Sequence, residues 1–177
     1  MPYSVITISG HLGSGKSTVT KLLSDKLGWM TYSTGQAQRL IAKKYGISTL
    51  ELNQRAITDK SIDREIDAVF KNPPWGDQPC IVDSRLAFHF LPQSLKVCLH
   101  VSPEVAAERV FKENRALETY DSVEQAKEYL QKRRQLEQAH FMKNYHLDID
   151  QDDLFDLIID TTNSTPDEIC QKIIEKL

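Results

Sequence analysis

The chain is predicted to fold as an α/β protein, a five-stranded parallel sheet flanked by helices on both faces. Three features of the sequence predict this. Five short, β-branched apolar runs recur along it, stretches of helical periodicity separate them, and the first run breaks into a glycine-rich turn that leads straight into a helix.

Val5-Ile6-Thr7-Ile8 is nearly continuous in apolar character, as a strand buried on both faces must be. Gly10 to Gly15 interrupts it. Lys16 to Leu27 then places Val19, Leu22, Leu23 and Leu27 at helical spacing, and Gly28 stops the helix. Trp29 to Tyr32 reads as a second strand and Gly35 to Tyr45 as a helix ended by Gly46. Ser48 caps a further helix, with Glu51 at the capping-box position. Asp59 to Phe70 is helical with a charged face, and Asn72-Pro73-Pro74-Trp75-Gly76-Asp77 is a loop. Cys80-Ile81-Val82-Asp83 and Val97 to Val101 are the third and fourth strands. Pro103 opens a helix at a first-turn position, where its missing N–H does no harm. Asp121 to Tyr145 is a long charged helix, Leu157-Ile158-Ile159 a fifth strand, and Thr165-Pro166 the start of a terminal helix. Neither an internal repeat nor a low-complexity tract is visible.

A chain of 177 residues can bury a sizeable core without disulfides or structural metal, so one domain spanning 1–177 is expected. The net charge of −3 and the absence of a long basic run argue against a nucleic-acid partner. Lys132-Arg133-Arg134 is too short to form such a patch. Cys80, Cys98 and Cys170 make no CxxC pair, so neither a disulfide framework nor a zinc site is suggested. Buried free thiols and a reducing cytoplasm are the natural reading. No apolar stretch approaches the roughly 20 residues of a membrane span, and the N-terminus lacks the pattern of a signal peptide. A monomer without membrane attachment is expected.

Gly10-His11-Leu12-Gly13-Ser14-Gly15-Lys16-Ser17 satisfies G-x-x-x-x-G-K-[ST], and it follows a strand and opens a helix, as a P-loop requires. Gly10, Gly13 and Gly15 let the backbone turn tightly and approach phosphate. Successive amides through Ser14 and Thr18, at a helix N-terminus, form an anion site. Lys16 reaches the β- and γ-phosphates as a point charge, and the Ser17 hydroxyl is a ligand for Mg²⁺. ATP and Mg²⁺ are therefore the expected cofactors. No N-K-x-D base-reading motif of GTPases and no L-S-G-G-Q of transporter ATPases occurs, which leaves the small kinases as the best fit.

Phosphoryl transfer is mostly positioning and charge stabilisation, so the arginines matter. Arg85 follows the third strand, and the carboxyl ends of parallel strands are where open α/β sheets bind ligands. It suits an acceptor phosphate. Asp83, at the end of the same strand, can hold a metal-bound water or the acceptor, or serve only as a turn former. Arg133, Glu137 and His140 share one helix face, a spacing that by itself fits an i,i+4 ion pair on a solvated surface as well as a site.

Beyond the P-loop, Ser33-Thr34-Gly35 with Arg39, Asp83-Ser84-Arg85-Leu86, Ser102-Pro103-Glu104-Val105 with Glu108-Arg109, and the ending from Tyr145 to Asn163 occur in an order that resembles the cytidylate kinases, nearest the short archaeal type. The resemblance covers nearly the whole chain. It implies transfer from Mg·ATP to a nucleoside monophosphate, CMP or dCMP. It also implies acceptor-binding helices over about 34–72 and a helical lid over about 109–145. Ser33, Gly35 and Arg39 would then border the acceptor, with Arg39 and Arg85 on its phosphate. Arg109 would begin the lid and face ATP, and Arg133 and Glu137 would match the lid pattern R-x-x-x-[DE]-x-x-R. The departures are Leu12, Gln36, Ser84 and, above all, His140, which stands where the second lid arginine is expected. Two alternatives stay open: a P-loop kinase for another small metabolite, and a degenerate nucleotide-binding protein with a regulatory role.

Overall fold

A computed structural model describes residues 2–56, 59–113 and 119–177, with nothing drawn from the side chains of residues 65 and 66. Strands β1 (Val5–Gly10), β2 (Met30–Ser33), β3 (Cys80–Asp83), β4 (Leu95–His100) and β5 (Leu157–Asp160) form one sheet in the order β2-β3-β1-β4-β5. Every pairing is parallel. This is the predicted architecture. The register sets Ile6 against Ile81 and Leu95, so three apolar runs meet at the centre of the sheet.

Helices α1 (Lys16–Leu27) and α8 (Pro166–Lys176) cover one part of this sheet. Val19 and Leu23 of α1 and Ile169, Cys170 and Ile173 of α8 pack with Ile6, Ile8, Val97 and Leu99 into the main core. A second cluster, including Val101, Ala106, Ala107, Val110, Ala126 and Leu130, joins α6 (Pro103–Glu113) to α7 (Val123–Tyr145). A third gathers Phe70, Trp75, Cys80, Val82 and Ala87. All three cysteines are buried free thiols. Burial pushes those of Cys80 and Cys98 up to about 12, which keeps them protonated and inert. No described helix is long and apolar enough to cross a membrane.

The element ends follow their capping chemistry. Ser33 caps α2 (Thr34–Tyr45) by accepting from the Gln36 amide, so that helix starts directly on the strand. Ser48 and Glu51 form the expected reciprocal bonds at the start of α3 (Thr49–Ala56). Asp59 caps α4 (Lys60–Lys71), Ser122 caps α7, and Thr165 with Glu168 makes a capping box on α8 behind Pro166. The structure corrects the reading in several places. β1 runs on to Gly10, β2 is displaced by one residue, β4 begins at Leu95 and ends at His100, and the short helix α5 (Ala87–Phe90) was not foreseen. The β4 shift has a packing cause: Leu95 is fully buried although Lys96 beside it breaks the apolar run.

In this strand order the chain leaves β1 toward β3 and β2 on one side and crosses to β4 and β5 on the other, so the carboxyl end of β1 lies at the topological switch point. Gly10 sits there with φ +126°, and a Cβ on it would lie 2.1 Å from the Leu99 carbonyl oxygen. Only glycine allows this approach. Gly10→Ala is expected to lower the unfolding free energy by about 2 kcal/mol or more, measured by urea denaturation. An unchanged midpoint would show that the β1–β4 contact tolerates a methyl group.

Candidate active site

The loop from Gly10 to Gly15 opens at the switch point, and its residues divide between two roles. Gly13, Gly15, Lys16, Ser17 and Thr18 line the main cleft, with a cavity of about 150 Å³. Gly10 and Ser14 lie behind it. The Ser14 hydroxyl donates to the His11 carbonyl at 2.8 Å, and the Ser14 carbonyl accepts from Thr161 Oγ1 at 3.1 Å, which ties the loop to the end of β5. Gly13 (φ +76°) leaves no room for a Cβ against Ala106 of α6, so the loop is clamped from that side too. Lys16 Nζ donates to the Gly10 and His11 carbonyls at 2.9 and 2.6 Å. Burial, and after it the charge of Arg85, lower its pKa to about 7.

The end of β3 supplies the opposite wall. The Ser17 hydroxyl donates to Asp83 Oδ2 at 3.1 Å, and the Ser33 hydroxyl approaches the same oxygen at 3.5 Å. Two residues on, Arg85 forms an ion pair with Glu137 of α7. Burial, and then the neighbouring Arg133 guanidinium, lower the Arg85 pKa, while Asp83 acts the other way. Arg133 Nε donates to Glu137 Oε1 at 3.1 Å, and Asn53 Nδ2 of α3 lies 3.4 Å from that oxygen. One carboxylate thus stands between two guanidinium groups. Gly35 and Arg39 of α2 complete this side of the cleft.

One turn further along α7, His140 Nε2 lies 3.1 and 3.0 Å from the two oxygens of Asp63 on α4. Asn144 Nδ2 donates to Asp63 Oδ2 at 3.1 Å, and the Tyr145 hydroxyl donates to Asp67 Oδ2 at 2.6 Å. Burial first, and Asp63 in part, raise the Asp67 pKa against the opposing effect of that hydrogen bond. Burial and Asp67 raise the Tyr145 pKa.

The structure therefore brings together in one cleft Lys16, Ser17, Ser33, Gly35, Arg39, Asp83, Arg85, Arg133, Glu137 and His140. Arg109 stands apart from them. Its guanidinium donates to the Thr161 carbonyl at 2.8 Å and Thr161 Oγ1 at 3.2 Å, with the Gly13 carbonyl at 3.4 Å, and so braces α6 against the P-loop and the end of β5. Sequence reasoning missed Asp63, Asp67, Asn53 and Tyr145 as cleft residues. The spacing of Asp63 and Asp67, one helical turn apart, was the available signal, and it looked like a solvated face.

An AAA domain family matches residues 6–130. A cytidylate kinase of Sulfurisphaera tokodaii is 36% identical over 97% of this chain and 93% of its own length. The cytidylate kinase of Methanobrevibacter smithii is 31% identical over 98% of both. An S-adenosylmethionine-dependent nucleotide dehydratase of Lacinutrix mariniflava is 36% identical over 96% of this chain, which spans only 35% of that relative. Among solved structures, a shikimate kinase of Acinetobacter baumannii (TM-score 0.60, 16% identity, 98% of this chain and 92% of that one) shares the fold. So does a gluconokinase of Sinorhizobium meliloti (TM-score 0.60, 19% identity, 98% and 90%). With a P-loop at the switch point and these cytidylate kinases matched over nearly their whole length, the chain belongs to the cytidylate kinase family of P-loop kinases.

Proposed function

We propose that this chain transfers the γ-phosphoryl group of Mg·ATP to the 5′-phosphate of CMP or dCMP. One observation carries the reading: the phosphate-binding loop and two arginines from separate elements, the half-buried Arg85 and the buried Arg133, converge on a single cleft. The relatives named as cytidylate kinases and as a nucleotide dehydratase have the nucleotide in common. That favours a nucleotide acceptor over the shikimate or gluconate of the solved neighbours, whose likeness concerns the fold.

Each group has a part. The loop amides around Gly13 and Gly15 would hold the triphosphate, and Lys16 would leave the Gly10 and His11 carbonyls for its β and γ oxygens. The Ser17 hydroxyl and Asp83 carboxylate, 3.1 Å apart at the mouth of the loop, are the hard oxygen donors that Mg²⁺ takes. Bound there, Mg²⁺ supplies charge neutralisation along the phosphates. Arg85, with Arg39, would hold the acceptor phosphate, in the place where Glu137 now presents a negative group. Arg133 would stabilise the charge on the transferring group. An acceptor phosphate oxygen bonds to the γ-phosphorus as the bond to the β–γ bridging oxygen breaks, which yields the nucleoside diphosphate and ADP. The layout proposed is one kinase domain, with acceptor helices over about 34–72 and a lid over about 109–145. Within those spans, residues 57–58 and 114–118 lie outside the described residues. Arg109, which the resemblance would place on ATP, would reach it only by leaving the Thr161 carbonyl.

A second reading, a kinase for a different small acceptor, is favoured by His140. It occupies the second lid-arginine position and is paired with Asp63, so it presents no bidentate fork to a phosphate.

A coupled ADP-release assay across the common nucleoside monophosphates, shikimate and gluconate is expected to give turnover with CMP or dCMP, and Lys16→Ala to reduce kcat by ~10²-fold or more. Failure of CMP, dCMP and UMP to exceed background ATP hydrolysis would overturn the reading. The depressed Lys16 pKa adds a pH test. At pH 8 the free lysine, titrating at about 7, is mostly neutral, and the adjoining triphosphate raises its pKa. ATP binding should therefore take up protons at pH 8, read by calorimetry in two buffers of different ionisation enthalpy. Lys16→Met should abolish the uptake, and proton release by the unsubstituted chain would contradict the assignment.

A further inference from the structure

We propose that Asp63 reads the base of the acceptor by accepting a hydrogen bond from an exocyclic amino group, and so selects cytosine over uracil. The inference deepens the function proposed above and rests on it.

Helix α4 turns Ile62, Asp63, Asp67 and Phe70 into the same cleft that the P-loop enters. These positions lie on one helical face, so the cleft receives two carboxylates framed by apolar side chains. Facing them on α7 are His140, Phe141 and Tyr145. The Asp63 side chain is 16% exposed, and its two oxygens receive the His140 ring and the Asn144 amide. An ionised carboxylate only accepts hydrogen bonds, so whatever displaces those donors must bring donors of its own.

Position along α7 says which part of the acceptor arrives there. Arg133 and Glu137 face Arg85 and mark the phosphate end. From Glu137 to Tyr145 the helix rises ~12 Å. An acceptor phosphate anchored at Arg85 therefore leaves the far end of a nucleoside monophosphate among Asp63, Phe70 and Phe141. Phe70 and Phe141 line the cleft there, and Asp63 offers the acceptor. Cytosine presents an amino group at the edge where uracil presents a carbonyl oxygen. Opposite Asp63 the first makes a charge-assisted hydrogen bond, and the second sets lone pairs against a carboxylate.

The contacts that now occupy Asp63 are incomplete. Asn144 Oδ1 is buried with no hydrogen-bond partner among the described residues, although Asn144 Nδ2 reaches both Asp63 and His140. Both donors sit on α7, so movement of that one helix would free Asp63 for a ligand. Asp67 remains bound to Tyr145 and keeps a second carboxylate behind the first.

The test compares kcat/KM for CMP and UMP in the unsubstituted chain and in Asp63→Asn, whose amide presents a donor as well as an acceptor. The unsubstituted chain is expected to prefer CMP, and the ratio to fall by roughly 10-fold or more in the variant, with turnover of UMP rising. A merely structural role for Asp63 would lower both substrates together and leave the ratio where it was, which would overturn the inference while leaving the kinase reading intact. Equal use of CMP and UMP by the unsubstituted chain would overturn it as well. Absence of turnover with any nucleoside monophosphate would remove both readings. Should Asp63→Asn fail to bind ATP or to melt cooperatively, the unsubstituted chain is assayed with the ribotide of 2-pyrimidinone, which lacks the amino group. A loss of about 10-fold against CMP supports the carboxylate reader, and parity overturns it.

Discussion

Three cations, Lys16, Arg85 and Arg133, crowd one cleft, and the cost of holding them together out of water is the constraint on which the rest of the site depends. Burial raises the energy of each charge, and the like charges beside it add to that. The depressed Lys16 pKa is the visible consequence. The protein meets this with two carboxylates, Asp83 from the end of β3 and Glu137 from α7. Asp83 acts on both Lys16 and Arg85, and Glu137 stands between Arg85 and Arg133. The proposed phosphates would bring their negative charge to these same cations.

The scaffold makes this crowding possible by fixing the backbone from several directions. Gly10 lies against the β4 backbone, Gly13 against α6, and the Ser14 carbonyl accepts from Thr161 at the end of β5. Arg109 joins the last two of these sides through the Thr161 and Gly13 carbonyls. Its charge is spent on carbonyl oxygens of the framework. The loop is thus preorganised, whereas the side chain of Lys16 and the cleft face of α7 are held by polar contacts. Those α7 contacts with α4 and the turn after β3 are polar: Arg85 with Glu137, Asp63 with His140, Asp67 with Tyr145. Polar contacts exchange for ligand at low net cost, which the proposed lid would use in closing over substrates.

Much of this could be seen in the residues before any coordinates. Strand runs such as Val5 to Ile8 and Cys80 to Asp83 are apolar because both faces of a central parallel strand are covered, so composition alone marks them. Capping pairs such as Ser48 with Glu51 and Thr165 with Glu168 act over three residues and are equally visible. The P-loop is a local motif in the same sense. Sheet order was not legible, because it depends on which runs pair across long separations. Nor was the placement of α4. Asp63 and Asp67 carry the spacing of an exposed charged face, and only the crossing of α7 over α4 turns that face into a wall of the cleft. Arg109 shows the converse: the resemblance points it at ATP, and the nearby Thr161 carbonyl, which no local pattern reveals, holds it elsewhere.

The central claim is that donor and acceptor phosphates meet between the P-loop and Arg85, with Glu137 yielding its place. A crystal structure of the chain with a bisubstrate analogue, adenosine and cytidine joined through a polyphosphate, tests it most directly. The account requires the phosphate chain to run from the amides of Gly13 to Thr18 to the Arg85 guanidinium, with Lys16 Nζ moved off the Gly10 and His11 carbonyls. A phosphate chain lying elsewhere, with the Arg85–Glu137 pair intact, would contradict it.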